Sequence, residues 1–377
     1  MKFHYHDYGF NQKENLFLTY TAVRYRFYST RYPDADNYVY LSKADKQRLL
    51  GNPTYRKRLP YLMDAGAILE IDIKENPHNH NQTLKGYIPT EMPYELVQGE
   101  AAYIERYMKG SYSSLSFEAK CILETLNHSL VTVTDAQLIE ALRQSQIRHH
   151  NEDKDYIVRY FNLYKRSIED FNNNVFLNIT EDAFGNRVHS FITTIPKEIR
   201  SSYLTINGEP TVELDLHQSQ MVILGKIIEK YYGRNSFSEM VKNEDIYIHF
   251  GQINNIGRDE AKKLMFRPVF NRNSSKESQM LKNAFPDAYG FIEQFKKMSL
   301  NWNPSRKRYS NMAFMLQREE SGIFHRVWNN LHNEGISFLP VHDSVIVPQR
   351  DLDQTRHIMT SRLNEEIGSH IKITQSK

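Results

Sequence analysis

Two aspartates stand where a rigid carboxylate can be presented. Residues 211–216 (TVELDL) alternate as a strand does and put Asp215 near its carboxyl end. His217, Gln218, Ser219 and Gln220 follow, and then an apolar helix over 221–232. Residues 336–341 (ISFLPV) and 345–348 (VIVP) read as two strands joined at His342-Asp343-Ser344, a hairpin with a carboxylate at its tip. Two separately anchored aspartates can hold two divalent ions about 3.5–4 Å apart. One ion would lower the pKa of an attacking hydroxyl and the other would neutralise a leaving pyrophosphate. Mg2+, a hard cation, is typically bound by one or two carboxylates plus substrate phosphates, and Mn2+ can take its place. Two isolated aspartates alone define nothing, since any protein has such pairs.

The stretch between them narrows the chemistry. Residues 257–270 read GRDEAKKLMFRPVF, and Arg258, Lys262, Phe266 and Phe270 recur every four residues along one helix face. Two cations at the start of that face suit a triphosphate, and two aromatics further along suit a stacked base. Pro268 should bend the helix before Phe270.

In these motifs the sequence resembles the family A DNA polymerases and, more distantly, the single-subunit phage RNA polymerases. That family carries an Asp ending a palm strand with Gln three residues on, matched by Asp215 and Gln218. Its fingers helix carries Arg, Lys, Phe and Tyr at intervals of four, matched by Arg258, Lys262, Phe266 and, with Phe for Tyr, Phe270. Its His-Asp palm hairpin is matched by His342-Asp343. Fainter echoes keep the same order. Asp245-Ile246-Tyr247 resembles an Asp-x-His segment, and Phe285-Pro286 an aromatic-Pro segment. Gln317 lies on an amphipathic helix with Met312, Met315, Phe324 and Trp328, like the helix whose Gln meets the template-primer. Arg187, in 185–196, resembles the Arg that touches the minor groove at the primer end. The resemblance spans about 190 residues.

It implies two Mg2+ on Asp215 and Asp343, with Arg258 and Lys262 on the triphosphate and Lys262 able to protonate the leaving group. It puts Phe266 and Phe270 on the nucleotide, Gln220 at the sugar, and Arg187, Gln218, Gln317 and His342 along the primer-template. The sequence also departs from the family. Gln220 replaces the Glu that guards against ribose 2′-hydroxyls, and Ser344 follows the His-Asp pair as in the phage RNA polymerases. Sugar choice is therefore open, and fingers and thumb are expected to be trimmed. A relic of the fold without activity is the competing reading, opposed by retention of both aspartates and both cations.

The elements around this unit are read from pattern. Residues 42–92 run helix, helix, strand, polar loop, strand. Ser42 and Thr54 are expected as caps, Gly66 as a stop, Pro60 as a kink, 67–73 and 84–89 as strands, and 75–83 as a wing. This order resembles a winged-helix DNA-binding domain with Arg56, Lys57 and Arg58 on the helix that would enter the major groove. A small packing domain with a solvated basic helix is the alternative. His78 and His80 in the loop lack the companions of a metal site and read as solvent-exposed. Residues 1–40 read as an arm or a strand pair. Helices are expected over 101–108, 116–128 and 134–143. A basic, aromatic stretch follows over 144–170 (Arg148, His149, His150, Arg159, Tyr160, Tyr164, Lys165, Arg166), a duplex grip or a solvated face.

The expected architecture is α+β. It comprises an N-terminal arm plus winged helix (1–92), a helical thumb-like segment (93–182) and a compact polymerase palm and fingers (183–377). A proofreading exonuclease has little room, and Glu70-x-Asp72 is better explained as plain strand. The single cysteine, Cys121, excludes a disulfide scaffold and suits a reducing, cytoplasmic setting. No signal core and no apolar run of ~20 residues is evident, so no membrane is expected. Twenty-four Tyr and 20 Phe beside a net charge of +3 fit either a base-stacking surface or a large aromatic core. Three functions remain. One is a DNA polymerase without proofreading, of phage or mobile-element type. Another is an RNA-synthesising primase or small RNA polymerase. The third is a non-catalytic DNA-binding replication factor. Partners would be a DNA (or RNA) primer-template, nucleoside triphosphates and replication accessory proteins.

Overall fold

The computed structural model describes residues 8–31, 38–41, 43–51, 53–73, 84–90, 116–172, 179–271, 275–300, 303, 307–368 and 371–376. The chain divides into two compact units, Met1–Ser114 and Leu115–Lys377.

In the first unit, α1 (Gln12–Arg31) is followed by β1 (Val39–Tyr40), α2 (Lys43–Leu50), α3 (Tyr55–Asp64), β2 (Ile68–Ile73) and β3 (Leu84–Pro89). The strands form an antiparallel sheet in the order β1-β3-β2. The helix α1 replaces the arm or strand pair expected for 1–40. Every residue from Glu14 to Ala22 is buried, so it has no single apolar face to betray its period. Asn11 Oδ1 caps it, accepting from the Lys13 and Glu14 amides. Thr54 does not cap α3 as expected, because its hydroxyl donates back to the Leu50 and Gly51 carbonyls. Pro60 is accommodated within α3, which buries Leu59 and Leu62, and Gly66 ends the turn beyond it at φ +70°. Glu70 and Asp72 lie on β2. Ser42, the loop 75–83 with His78 and His80, and the helix expected at 101–108 lie outside the described residues.

The second unit starts with α4 (Phe117–Asn127), capped by Ser116, then β4 (Ser129–Val131) and α5 (Asp135–Arg148), which opens on a Thr134–Gln137 capping box. The basic stretch is not one helix. It breaks at His149–His150 between α5 and α6 (Tyr156–Asn172). Its charge is partly spent inside the protein. Arg148 makes a two-pronged pair with Glu198 at 2.6 and 3.2 Å, Lys165 meets Asp135 at 2.8 Å, and Arg166 is buried.

Short strands β5 (Thr180–Glu181) and β6 (Val188–His189), then α7 (Phe191–Thr194) and α8 (Lys197–Tyr203), lead into the main sheet. That sheet contains β7 (Leu204–Ile206), β8 (Glu209–Leu216), β9 (Leu339–Val341), β10 (Ser344–Pro348) and β11 (Ile373–Ser376). The order is β4-β7-β8-β10-β9, with β11 on the other side of β8, all antiparallel. The helices α9 (Ser219–Tyr232), α10 (Ser236–Asn243), α11 (Ile246–Asn254), α12 (Arg258–Phe270), α13 (Ser275–Ala284), α14 (Pro286–Lys297), α15 (Asn311–Asn333) and α16 (Leu352–Ile367) share one hydrophobic core with it. Leu214, Ile223, Phe250, Phe324, Val345 and Leu363 are fully buried in one shared core. Among the described residues no helix is long and apolar enough to cross a membrane.

Candidate active site

β8 and β10 are paired with Ser344 opposite Asp215. The Leu216 amide donates to the Asp343 carbonyl at 3.1 Å, so the two aspartates sit side by side on hydrogen-bonded backbone. On the far side of β8, Thr374 lies opposite Asp215 and donates its hydroxyl to the Asp215 carbonyl at 3.3 Å. The hairpin turn is tight because His342 takes a left-handed conformation (φ 58°). These backbone ties hold both carboxylates without using their oxygens.

Both aspartates keep part of their surface open, yet both resist ionisation. Burial, then the nearby Glu213 charge, pushes the Asp215 carboxyl up to about 6, against favourable effects of Lys197 and Lys262. Burial, then Glu320 and Asp215, pushes Asp343 up well beyond the usual carboxylate range. A cluster of like charges that lacks enough counter-charge is what a divalent cation would relieve. The donor set, two hard carboxylates open to a ligand, fits Mg2+ completed by substrate phosphates. Among the described residues, no group of three or more His, Cys, Asp or Glu could hold a metal by itself.

Two further carboxylates lie behind the pair, and the sequence did not single them out. Glu213 is buried, accepting from the Ser344 hydroxyl at 2.6 Å and from Arg200 at 3.5 Å. Glu320, 1% exposed, accepts from the Ser219 hydroxyl at 2.9 Å, the Gln220 amide and Arg187. Gln220, expected at the sugar, is thus buried and turned toward Glu320. Arg187, expected at the primer end, is half-buried and paired. The loop that carries it is held by Asp182, which accepts from the Gly185 and Arg187 amides and faces His189 Nε2 at 3.0 Å. Gln317 abuts that loop so closely that a Cβ at Gly185 would come within 2.8 Å of its Oε1.

Gln218, expected at the primer-template, has its side-chain amide engaged within the protein. It caps α9 in a left-handed conformation (φ 49°). Its amide donates to the Val241 and Glu244 carbonyls at 2.9 and 2.7 Å and accepts from the Ile246 amide at 3.0 Å. His342 is driven down to about 4 by burial and by the neighbouring Arg187, His189 and Arg200, so it is neutral at pH 7, and its Nδ1 has no hydrogen-bond partner.

The cations and aromatics of α12 form a row. Arg258 and Lys262 are exposed and lie 5.5 and 5.8 Å from the Tyr247 ring centre. Tyr247 stacks on Phe266 (6.2 Å, 26°), and Phe266 on Phe270 (5.1 Å, 17°). Lys262 acts electrostatically on Asp215, and Asp343 on the Tyr247 hydroxyl, so these two members of the row lie within electrostatic reach of the aspartates. Pro268, expected to bend the helix, lies inside α12, which runs on to Phe270. It lies in the last turn, whose carbonyls lack intrahelical partners, and the Lys296 ammonium donates to the Pro268 and Asn271 carbonyls. Arg258 Nε meets Asp245 Oδ2 at 2.8 Å, and His217 Nε2 meets the same oxygen at 3.2 Å. A cavity of 270 Å³ lined by His217, Gln218, Asp245, Lys242 and Lys372 opens beside this pair. Solvent can therefore reach the Asp245 group from a second side.

In the other unit, Arg56 and Lys57 are exposed on α3, whereas Arg58 turns back to Asn11 (3.4 Å) and Glu14 (3.9 Å) of α1.

No protein-family model matches the chain, and no curated protein does. Among solved structures, the chain is similar to the POL domain of Pol1 from M. smegmatis in complex with DNA primer-template and dNTP. Identity is 10%, covering 74% of this chain and 73% of that one, with a TM-score of 0.38.

Proposed function

We propose that the protein is a template-directed nucleotidyltransferase, a DNA polymerase of phage or mobile-element type without a proofreading exonuclease. The observation that carries this is that Asp215 and Asp343 stand side by side on paired strands, within electrostatic reach of Lys262 and Tyr247 of the Arg258–Lys262–Tyr247–Phe266–Phe270 row. In this reading the primer 3′-oxygen bonds to the α-phosphorus of a bound nucleotide. The bond from that phosphorus to the bridging oxygen breaks, the hydroxyl proton passes to solvent, and pyrophosphate leaves.

Asp215 and Asp343 would hold the two Mg2+, whose chemistry there would be to activate the hydroxyl and neutralise the leaving group. Arg258 leaves Asp245 to grip the triphosphate, and Lys262 gives a proton to the departing pyrophosphate. Phe266 and Phe270 support the base. Arg187 and Gln317 lie along the primer-template, and His342, neutral, closes the turn beneath it. Positioning and electrostatics supply most of the rate in such transfers. The helix-strand-helix-helix-strand-strand order of the first unit and the outward Arg56 and Lys57 support a winged-helix duplex contact.

One observation favours a second reading, RNA synthesis by a primase or small RNA polymerase. Position 220 carries an uncharged amide already committed to Glu320, so no free carboxylate stands there to reject a ribose. Primer extension on DNA and RNA templates, with dNTPs and rNTPs supplied separately, tests both. Preference for rNTPs sinks the first reading. Full function after Asp343→Ala sinks both and leaves a non-catalytic binding factor.

A further inference from the structure

Glu320 is a buried carboxylate that the proposed chemistry does not use directly. It is 1% exposed and sits on α15, one turn beyond Gln317. Burying a charge is costly unless it is paired and fully hydrogen-bonded, so its partners are informative. They come from two other segments. Arg187, in the loop between β5 and β6, reaches Oε2. The Ser219 hydroxyl (2.9 Å) and the Gln220 amide, both in the first turn of α9, reach Oε1. Both oxygens already accept hydrogen bonds from within the protein.

The first turn of α9 begins four residues after Asp215. From one side the Gln218 amide clamps that turn to the α10–α11 connection. From the other side only Ser219 and Gln220, through Glu320, tie it to α15 among the hydrogen bonds of the described residues. The same carboxylate fixes Arg187. Electrostatically, Glu320 is felt at both Asp343 and Asp215, so it lies near the pair.

We infer that Glu320 is a positioning residue: it joins the turn after Asp215, the Arg187 loop and α15, and so sets the catalytic aspartate and the primer-end arginine in one frame. This rests on the nucleotidyltransferase reading, and the experiment separates the two.

Full-length wild type, Glu320→Gln, Glu320→Leu and Ser219→Ala are compared in single-nucleotide primer extension across a Mg2+ titration, with folding checked by circular dichroism and Tm. Glu320→Gln can keep the bonds, its amide nitrogen facing a turned Gln220 and its oxygen facing Arg187, so it should retain a rate within about tenfold of wild type. Glu320→Leu strands three donors and should lose about 100-fold in kcat, the scale of an ångström misplacement. Its KM for primer-template should rise, and its half-saturating Mg2+ should move less than about threefold, since the ion's ligands remain. Ser219→Ala removes one tie and should lose about three- to tenfold with the same Mg2+ dependence. If Glu320→Leu does not fold, Ser219→Ala carries the test. The inference is overturned if the Leu variant folds and works within threefold of wild type. It is also overturned if Ser219→Ala is unaffected, or if Glu320→Gln raises the Mg2+ requirement tenfold, which would make Glu320 a ligand. If wild type incorporates no nucleotide, the underlying reading has failed instead.

Discussion

Replacing Asp215 by Asn should stabilise the ligand-free protein while abolishing its activity. The Asp215 carboxyl is pushed from 3.8 up to about 6, chiefly by burial and by Glu213. At about 1.4 kcal/mol per unit, two units set a ceiling of about 3 kcal/mol on the cost of its charge. The residue is partly exposed, so water removes some of that cost, and we expect about 1–2 kcal/mol. The sign follows from linkage. The folded-state value lies above the unfolded one, so the ionised group opposes folding. That cost is absent below about pH 4, grows between about pH 4 and 6, and is complete above 6. Asn carries no charge and escapes it. At about 2–4 °C per kcal/mol for a unit of this size, thermal unfolding in EDTA at pH 7.5 should show Asp215→Asn about 2–8 °C above wild type. The gap should narrow as pH falls toward 5. Added Mg2+ should raise the wild-type Tm and leave the variant unmoved, because bound cation relieves the same repulsion. A variant less stable than wild type at pH 7.5, or a gap independent of pH, would refute the electrostatic picture of the site.

Three other outcomes follow from named contacts. Arg258→Gln with Lys262→Gln should raise the nucleotide KM at least tenfold, on the basis that a charge-assisted phosphate contact contributes about 1.5–3 kcal/mol, and steady-state kinetics measures it. Gln220→Glu should place a second carboxylate beside Glu320 and lower stability by about 2–4 kcal/mol, with Glu320→Gln in the same chain restoring it. Chemical denaturation would detect that compensation, and simple additivity would count against the Gln220–Glu320 contact. Neutralising Arg56 and Lys57 should weaken duplex binding and reduce the slope of log affinity against log salt by about 2, whereas Arg58→Gln, already tied to α1, should change the slope less. Fluorescence anisotropy over a salt series distinguishes them.

The parts of this architecture that could be read from sequence are those with a short local period. The alternation of 211–216 and the VIVP run mark β8 and β10, and the four-residue spacing from Arg258 to Phe270 marks α12, because each signal is carried by a few neighbouring residues, even though β10 is buried at every position. The helix α1 escaped, since its buried residues run consecutively through Asn15, Thr19 and Thr21 and show no face. Glu320 sits in the polar string Arg318-Glu319-Glu320-Ser321, where nothing local separates a buried carboxylate from an exposed one. Only the arrival of Arg187, 133 residues earlier in the chain, distinguishes it. Gln218 matched a motif, yet its partners lie 23 to 28 residues onward, and spacing alone did not foretell them. At Pro268 the local signal gives no hint of Lys296, 28 residues away, which donates to its carbonyl.

Single-nucleotide primer extension with wild type and Asp343→Asn, in Mg2+ and in EDTA, bears most directly on the proposed chemistry. The account expects templated addition by wild type in Mg2+ alone, with release of pyrophosphate, and a loss of at least about 1,000-fold in the variant while duplex binding persists. Incorporation that survives Asp343→Asn, or proceeds in EDTA, would contradict it.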